Sequence, residues 1–307
     1  MRHARTIRVV LLAVLMGTVG VQGAGAQIEL QEVQLARTDL SQLSDREIET
    51  ILLQGRVVDR ENIDVGVTLP ERLWLEHDGY LISAAFKHLD FERKGLTHFE
   101  KAPPQLNFKD SFRYERAAYL LDRLLGLQMV PVTVLRNIKA HEGAVVAWVE
   151  DAITEQERLR LKLAPEDTRL LIRQRAAMRL FDALVYNIDN NLGNQLWTQP
   201  DWRLHLIDHS RSFRQQSKLP ESFANRPVSL GPELYEVLWS LDEPQIEATL
   251  GEVLSPREIK TLVARHNLIL EKIEHDRREY GDPFVFLGAG GAWWVASRPI
   301  PARLGLY

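Results

Sequence analysis

Residues 181–213 read FDALVYNIDNNLGNQLWTQPDWRLHLIDHSRSF, with Asp189, then Asn194 five residues later, then Asp208 beyond a stretch that reads as one short hairpin. Gln195-Leu196-Trp197 and Leu204-His205-Leu206-Ile207 have strand composition, and Pro200-Asp201 is the turn signal between them. Asp208 therefore falls at a strand end. Upstream, between Asp167 and Tyr186, Leu170, Leu171, Ala177, Met178, Phe181, Leu184 and Val185 recur at three-to-four spacing, which predicts an amphipathic helix delivering the chain into the loop. Phosphoryl transfer asks a protein for positioned carboxylates, an amide oxygen for metal and a lysine for phosphate charge, and Asp189, Asn194 and Asp208 are the first three. Asp189, Asn190, Asn191 and Gly193 would equally make an ordinary polar turn. Taken alone, the segment leaves turn and site both open.

The N-terminal half supplies the missing cation. Leu81-Ile82-Ser83-Ala84-Ala85-Phe86-Lys87 is an apolar run that follows a turn at Asp78-Gly79 and ends in a lysine. An isolated strand-end lysine is ordinarily a surface residue, whereas one facing an interior cleft pairs with nucleotide phosphates. Ser111 to Leu121 reads as a helix that ends at Gly126, and Val130 to Leu135 after it is strand-like. Glu115 borders the apolar stripe of that helix. It is either a solvated helix glutamate or the ion-pair partner of the lysine.

In this order the pieces resemble the atypical kinases that unite phosphatidylinositol 3- and 4-kinases, bacterial HipA-type kinases and the Golgi secretory-pathway kinases. The similarity runs from about Gly66 to Phe213. It is carried by Phe86-Lys87, by E-x-A-A-Y-x-L at Glu115 to Leu121 with Val130-Pro131 after it, by D-x-x-x-x-N at Asp189 to Asn194, and by I-D-x-x-R-x-F at Ile207 to Phe213. The resemblance implies an α+β, two-lobed protein-kinase-like fold: a small, mostly antiparallel β lobe with one key helix over residues 27–147, and a larger, mostly helical lobe over 148–307. It implies ATP and Mg²⁺ or Mn²⁺ as cofactors, with Lys87 on the nucleotide phosphates, Glu115 orienting it, Asp189 as catalytic base, and Asn194 with Asp208 on the metal. Gly66-Val67-Thr68 takes the place of the phosphate-covering turn, although it has one glycine and no full Gly-rich pattern. Ala144 to Val149, ending in Trp148 and Val149, takes the place of the hinge strand beside the adenine.

The activity so implied is transfer of the terminal phosphoryl of ATP to a hydroxyl-bearing acceptor, whether protein, lipid or small molecule. The alternative is a pseudokinase, a nucleotide-binding regulatory module without phosphotransfer. Asn190 and Asn191 stand where phosphatidylinositol kinases have Arg and His, and His209-Ser210 stands where many kinases have Phe-Gly. These departures keep the metal donors and leave the acceptor open.

At the front, Arg2, His3, Arg5 and Arg8 precede an apolar segment from Val9 to Val21, and Ala24-Gly25-Ala26 is a small-residue cleavage site. This is the pattern of a secretory signal peptide over residues 1–26, so the mature chain is expected to begin at Gln27 and to be exported to a periplasm, a secretory lumen or the medium. Removing the segment takes three arginines and no acid, and moves the formal net charge from -4 to -7. The apolar part is shorter than the about 20 residues of a membrane helix, so membrane contact is expected only if the segment stays uncleaved. The acidic balance gives no reason to expect a nucleic-acid partner. With no cysteine there is neither a disulfide framework nor a thiol nucleophile. Nothing in the sequence specifies an oligomeric state.

The remainder predicts scaffold. Ser44-Asp45-Arg46-Glu47 is a capping box with Leu43 as its staple, opening a helix that closes near Gly55. Ser255-Pro256-Arg257-Glu258 opens a second, long helix towards Tyr280. Pro232 to Leu241 reads as another helix, Phe91 to Asp110 with Pro103-Pro104 as an inserted loop, and Gly288 to Tyr307 with Trp293-Trp294 as a packed strap. A zinc cluster of His205, Asp208 and His209 is disfavoured. On a strand over 204–208, His205 and His209 share a face and Asp208 lies on the other.

Overall fold

The structure, a computed structural model, describes residues 7–13, 29–63, 70–98 and 105–288. Its first half comprises β1 (Ile7–Ala13), β2 (Glu29–Leu35), α1 (Asp45–Gln54), β3 (Arg56–Asn62), β4 (Glu71–His77), β5 (Tyr80–Lys87), β6 (Asp90–Thr97), β7 (Gln105–Ser111), α2 (Arg113–Leu124), β8 (Thr133–Ile138) and β9 (His141–Ala147). Then follow β10 (Ile153–Thr154), α3 (Glu155–Leu161), α4 (Arg169–Val185), β11 (Gln195–Trp197), β12 (Leu204–Leu206), α5 (Glu221–Ala224), α6 (Pro232–Ser240), α7 (Glu243–Leu250), α8 (Pro256–Tyr280) and α9 (Asp282–Val285).

The sheet that carries Lys87 is five-stranded and antiparallel, in the order β3-β4-β5-β9-β8. Its β4–β5 hairpin is set by Asp78-Gly79, whose φ angles of 49° and 83° are both positive, as a two-residue turn matching the strand twist requires. That turn pairs His77 with Tyr80 and puts the β5 side chains in alternation. Ile82, Ala84 and Phe86 enter the main core, while Ala85 packs with Ala144, Val146 and Phe112 on the other face. By the same alternation Lys87, paired with Ala144, shares this second face of small side chains. α1 and α2 pack against the sheet, and α1 opens with the expected Ser44–Glu47 capping box.

The second half is mostly helical. α4 buries Phe181, Leu184 and Val185 completely or nearly so, each worth roughly 1.5–3 kcal/mol relative to exposure. α8 begins at its capping box on Ser255 and crosses α4 and α6. A three-stranded sheet β10-β11-β12 joins the short strand before α3 to the hairpin that follows α4. Buried side chains from the large sheet, α2, α4, β11, β12 and α8 form one connected core.

Two readings need correction. Phe91 to Asp110 is mostly a β hairpin, β6–β7, and not a loop: its outer strand has no apolar alternation, and all of it but Thr97 is exposed. The strand expected from Val130 begins later, at Thr133, because Met129 and Val130 give their N–H groups to the buried Asp122 carboxylate and Pro131 has none to give. The apolar N-terminal segment contributes β1, paired with β2; the cleavage site at Ala24-Gly25-Ala26 and the Trp293-Trp294 strap lie outside the described residues. Among the described residues no helix is long and apolar enough to cross a membrane.

Candidate active site

The structure brings Lys87, Glu115 and Asp208 together. Lys87 Nζ donates to Glu115 Oε1 at 2.6 Å and to Asp208 Oδ1 at 2.9 Å. The lysine arrives at the last residue of β5, where its neighbour strand must come very close: a Cβ at Gly143 would lie 2.5 Å from the Lys87 carbonyl oxygen and 2.5 Å from the Phe86 ring. Glu115 comes from the first turn of α2, is 2% exposed, and also accepts the His209 backbone N–H. Burial alone would press the Lys87 ammonium down, but the carboxylates of Glu115 and Asp208 outweigh it and hold the pKa above its ordinary value. Asp208, half-exposed, is likewise held below its ordinary value: Lys87 overcomes the desolvation that would raise it.

Asn194 and Asp208 are placed by the β11–β12 ladder. The pairs Trp197–Leu204, Leu196–His205 and Gln195–Leu206 are continued by the Ile207 N–H to Asn194 C=O bond at 3.0 Å, which sets Asp208 next after the partner of Asn194. The Asn194 side-chain amide gives its Nδ2 to the Asp189 carbonyl at 3.2 Å, so its oxygen is the end left for a cation. Asp208 likewise keeps Oδ2 without a hydrogen-bond partner among the described residues. One carboxylate and one amide oxygen suit Mg²⁺ or Mn²⁺ completed by water and phosphate oxygens, since such ions take few protein ligands. Among the described residues no group of three or more His, Cys, Asp or Glu side chains gathers as a metal cluster. His209 is buried and pushed down to about 3 by desolvation, and His205 down to about 4 for the same reason, so neither is set up as a cation.

Asp189 stands on the same loop, its N–H bonded to the Asn187 side chain at 3.1 Å. Its carboxylate oxygen Oδ2 accepts from Arg211 Nη1 at 3.1 Å. Arg211 also reaches Asp110 on β7 with its Nε, at 2.8 Å. The segment that carries both Asp208 and Arg211 is held at its ends in left-handed backbone, φ 66° at Asp208 and 53° at Phe213. For a residue as bulky as phenylalanine this is costly and persists only under strong tertiary restraint. Phe213 is fully buried, packs against Tyr114 with ring centroids 5.5 Å apart, and donates its N–H to the Val185 carbonyl at 2.6 Å.

Arg211 lay inside the quoted motif without a role, and Asp110 in the stretch read as a loop. Asp182 gave no signal at all, since an acid on the helix before the loop looks solvated. Its Oδ2 accepts from the Asn190 amide at 2.7 Å while Oδ1 is shielded and unpartnered, and desolvation pushes the carboxyl up to about 7. Of the remaining expected residues, Trp148 extends the β9 pairing by donating its N–H to the Ser83 carbonyl at 3.0 Å. Its ring lies under the Arg72 guanidinium at 4.3 Å, which Ser83 and Glu150 hold in place. Val149 is half-buried just beyond it. Gly66, Val67 and Thr68 lie outside the described residues.

No protein-family model matches the sequence, and no curated protein matches it either. Solved structures do. Hydra Fam20, determined with a sugar, is similar with a TM-score of 0.59 at 18% identity over 79% of this chain and 93% of its own. The Golgi casein kinase is similar with a TM-score of 0.59 at 16% identity, over 79% of this chain and 77% of its own. The Golgi casein kinase with Mn/ADP bound has a TM-score of 0.58 at 15% identity, covering 79% and 78%. The chain thus has the mixed, kinase-like fold of these structures, an antiparallel sheet joined to a helical part.

Proposed function

We propose that the chain is an exported, ATP-dependent phosphotransferase that acts on a hydroxyl acceptor with Mg²⁺ or Mn²⁺. The observation that carries this reading is the Lys87 ammonium held between Glu115 and Asp208, because it joins the sheet, its helix and the candidate metal ligand at one point. A triphosphate entering there meets a cation already stripped of most of its water and pre-oriented by a buried carboxylate. The Mn/ADP-bound casein kinase supports the same cofactors. The lobes over 27–147 and 148–307, and export behind a leader over 1–26, belong to the same proposal.

In this reading Lys87 binds the nucleotide phosphates and Glu115 keeps its ammonium aimed. Asn194 and Asp208 hold the divalent ion, which when bound neutralises charge building on the phosphate oxygens. Asp189 orients the acceptor hydroxyl and takes its proton as the acceptor oxygen bonds to the terminal phosphorus. The bond from that phosphorus to the bridging oxygen breaks, and ADP leaves with the electron pair. Trp148 and Val149 border the base.

Incubating the purified protein with labelled ATP and Mn²⁺ tests this. Self-labelling or phosphate release is expected, falling about 10²–10⁴-fold in Asp189→Ala. An Asp189→Ala protein as active as the wild type removes the mechanism. Tight ATP binding by the wild type without product over long incubation would instead identify a nucleotide-binding regulatory module.

A further inference from the structure

Among the described residues, the Asp189 carboxylate has one side-chain partner, Arg211. Loop backbone bonds fix where Asp189 begins, and of the cations around its half-exposed carboxylate Arg211 bonds to it while Arg214 adds only a nearby positive charge. Arg211 is itself held from the far side. Its Nε bonds Asp110, whose side chain is 4% exposed and has no other ion-pair partner among the described residues. The guanidinium lies over the Phe108 ring at 5.5 Å, and a backbone bond from Ser111 N–H to Ser210 C=O at 2.8 Å ties the same two segments together. Because Nε and Nη1 belong to one rigid plane, the two carboxylates are held at a set separation and angle, which a flexible lysine could not impose.

The hairpin at the other end of this link forms no ladder with the large sheet and is tied instead to α8 and α2. β6 and β7 pair only with each other among the described strands. Lys109 reaches Glu258 at 3.1 Å and lies over the Tyr114 ring at 4.8 Å. The seat of an otherwise separate hairpin is therefore passed through Asp110 and Arg211 to the residue proposed as base.

We propose that Arg211 is a positioning residue, a clamp between Asp110 of the β6–β7 hairpin and Asp189 of the loop that lets the hairpin set the aim of Asp189. The clamp is structural; its effect on turnover rests on the phosphotransferase reading given above.

Arg211→Ala, Arg211→Lys and Asp110→Asn test it in the full chain, with Mn²⁺-ATP as ligand and water as acceptor. A displaced base is expected to lower kcat about 10²-fold in Arg211→Ala and about 10-fold in Arg211→Lys, with Mn²⁺-ATP affinity unchanged because Lys87 and Glu115 are untouched. Adding Asp110→Asn to Arg211→Ala should cost nothing more, since both act through one link. Amide hydrogen exchange should quicken at Asn191, Asn194 and along Phe108–Ser111, and not in β5 or α2. Arg211→Lys keeps a charge opposite the buried Asp110, and so remains readable if Arg211→Ala does not fold. Exchange unchanged at loop and hairpin, or rate and nucleotide affinity falling together, overturns the clamp. Failure of the wild type to bind Mn²⁺-ATP overturns the phosphotransferase reading instead, and the exchange measurement still decides the clamp.

Discussion

The Lys87 ammonium lies 2.6 Å from Glu115 Oε1, a bond between β5 and α2 across 28 residues of chain, with the carboxylate almost wholly buried. Removing the cation strands that acid. Lys87→Met should destabilise the fold by on the order of 3–5 kcal/mol in urea denaturation and abolish nucleotide binding. Glu115→Gln removes the charge but keeps the shape, so it should fold and bind Mg-ATP more weakly. A Lys87→Met protein of wild-type stability would show that the pair is not formed.

Asp208 is half-exposed and sits at φ 66°, a backbone that asparagine also tolerates. Asp208→Asn removes one of the two carboxylates on Lys87 but leaves Glu115 paired with it, and should cost about 1 kcal/mol. Calorimetry with ATP should nevertheless lose its dependence on Mg²⁺. Retained metal dependence would place the ion elsewhere.

At Gly143 even one methyl group collides with the Lys87 carbonyl and the Phe86 ring, at 2.5 Å each. Gly143→Ala should cost roughly 1–3 kcal/mol through overpacking. It should also weaken ATP binding, because the residue displaced is Lys87. Thermal unfolding and calorimetry on this variant report the two effects separately.

The Asp182 carboxyl is pushed up to about 7 in the folded protein from an ordinary value of 3.8. Its proton is bound more tightly folded than unfolded, so its contribution is fully present below about 3.8 and is lost as pH rises through about 7. Asp182→Asn should flatten this part of the pH–stability curve and raise stability at pH 8 by on the order of 1–3 kcal/mol. It keeps an oxygen for Asn190. A curve with the wild-type slope would show that another group titrates.

Elements with a period were legible and long-range pairings were not. α4, α8 and the β11–β12 hairpin announce themselves through spacing, capping boxes and turn residues, and the Lys87–Glu115 pair through the order of a strand-end lysine and a helix glutamate. β6 was not legible because a strand exposed on both faces has no alternation to read. Arg211 and Asp110 lie 101 residues apart, and Asp182 owes its altered acidity to burial by neighbours that no local pattern names. The β8 boundary moved for a related reason: Asp122 captures two backbone donors that a strand would otherwise have used.

The ladder that runs from Trp197–Leu204 to the Asn194–Ile207 bond has its turn at Thr198 to Arg203, at the opposite end from Asn194 and Asp208. Pairing, and not the number of residues around the bend, therefore places Asp208 one residue beyond the partner of Asn194. The bend has anchors of its own, Trp202 on the core with its carbonyl held by Gln174, so it steadies the ladder without setting the register, and a single-residue slip of either strand would move Asp208 away from Asn194.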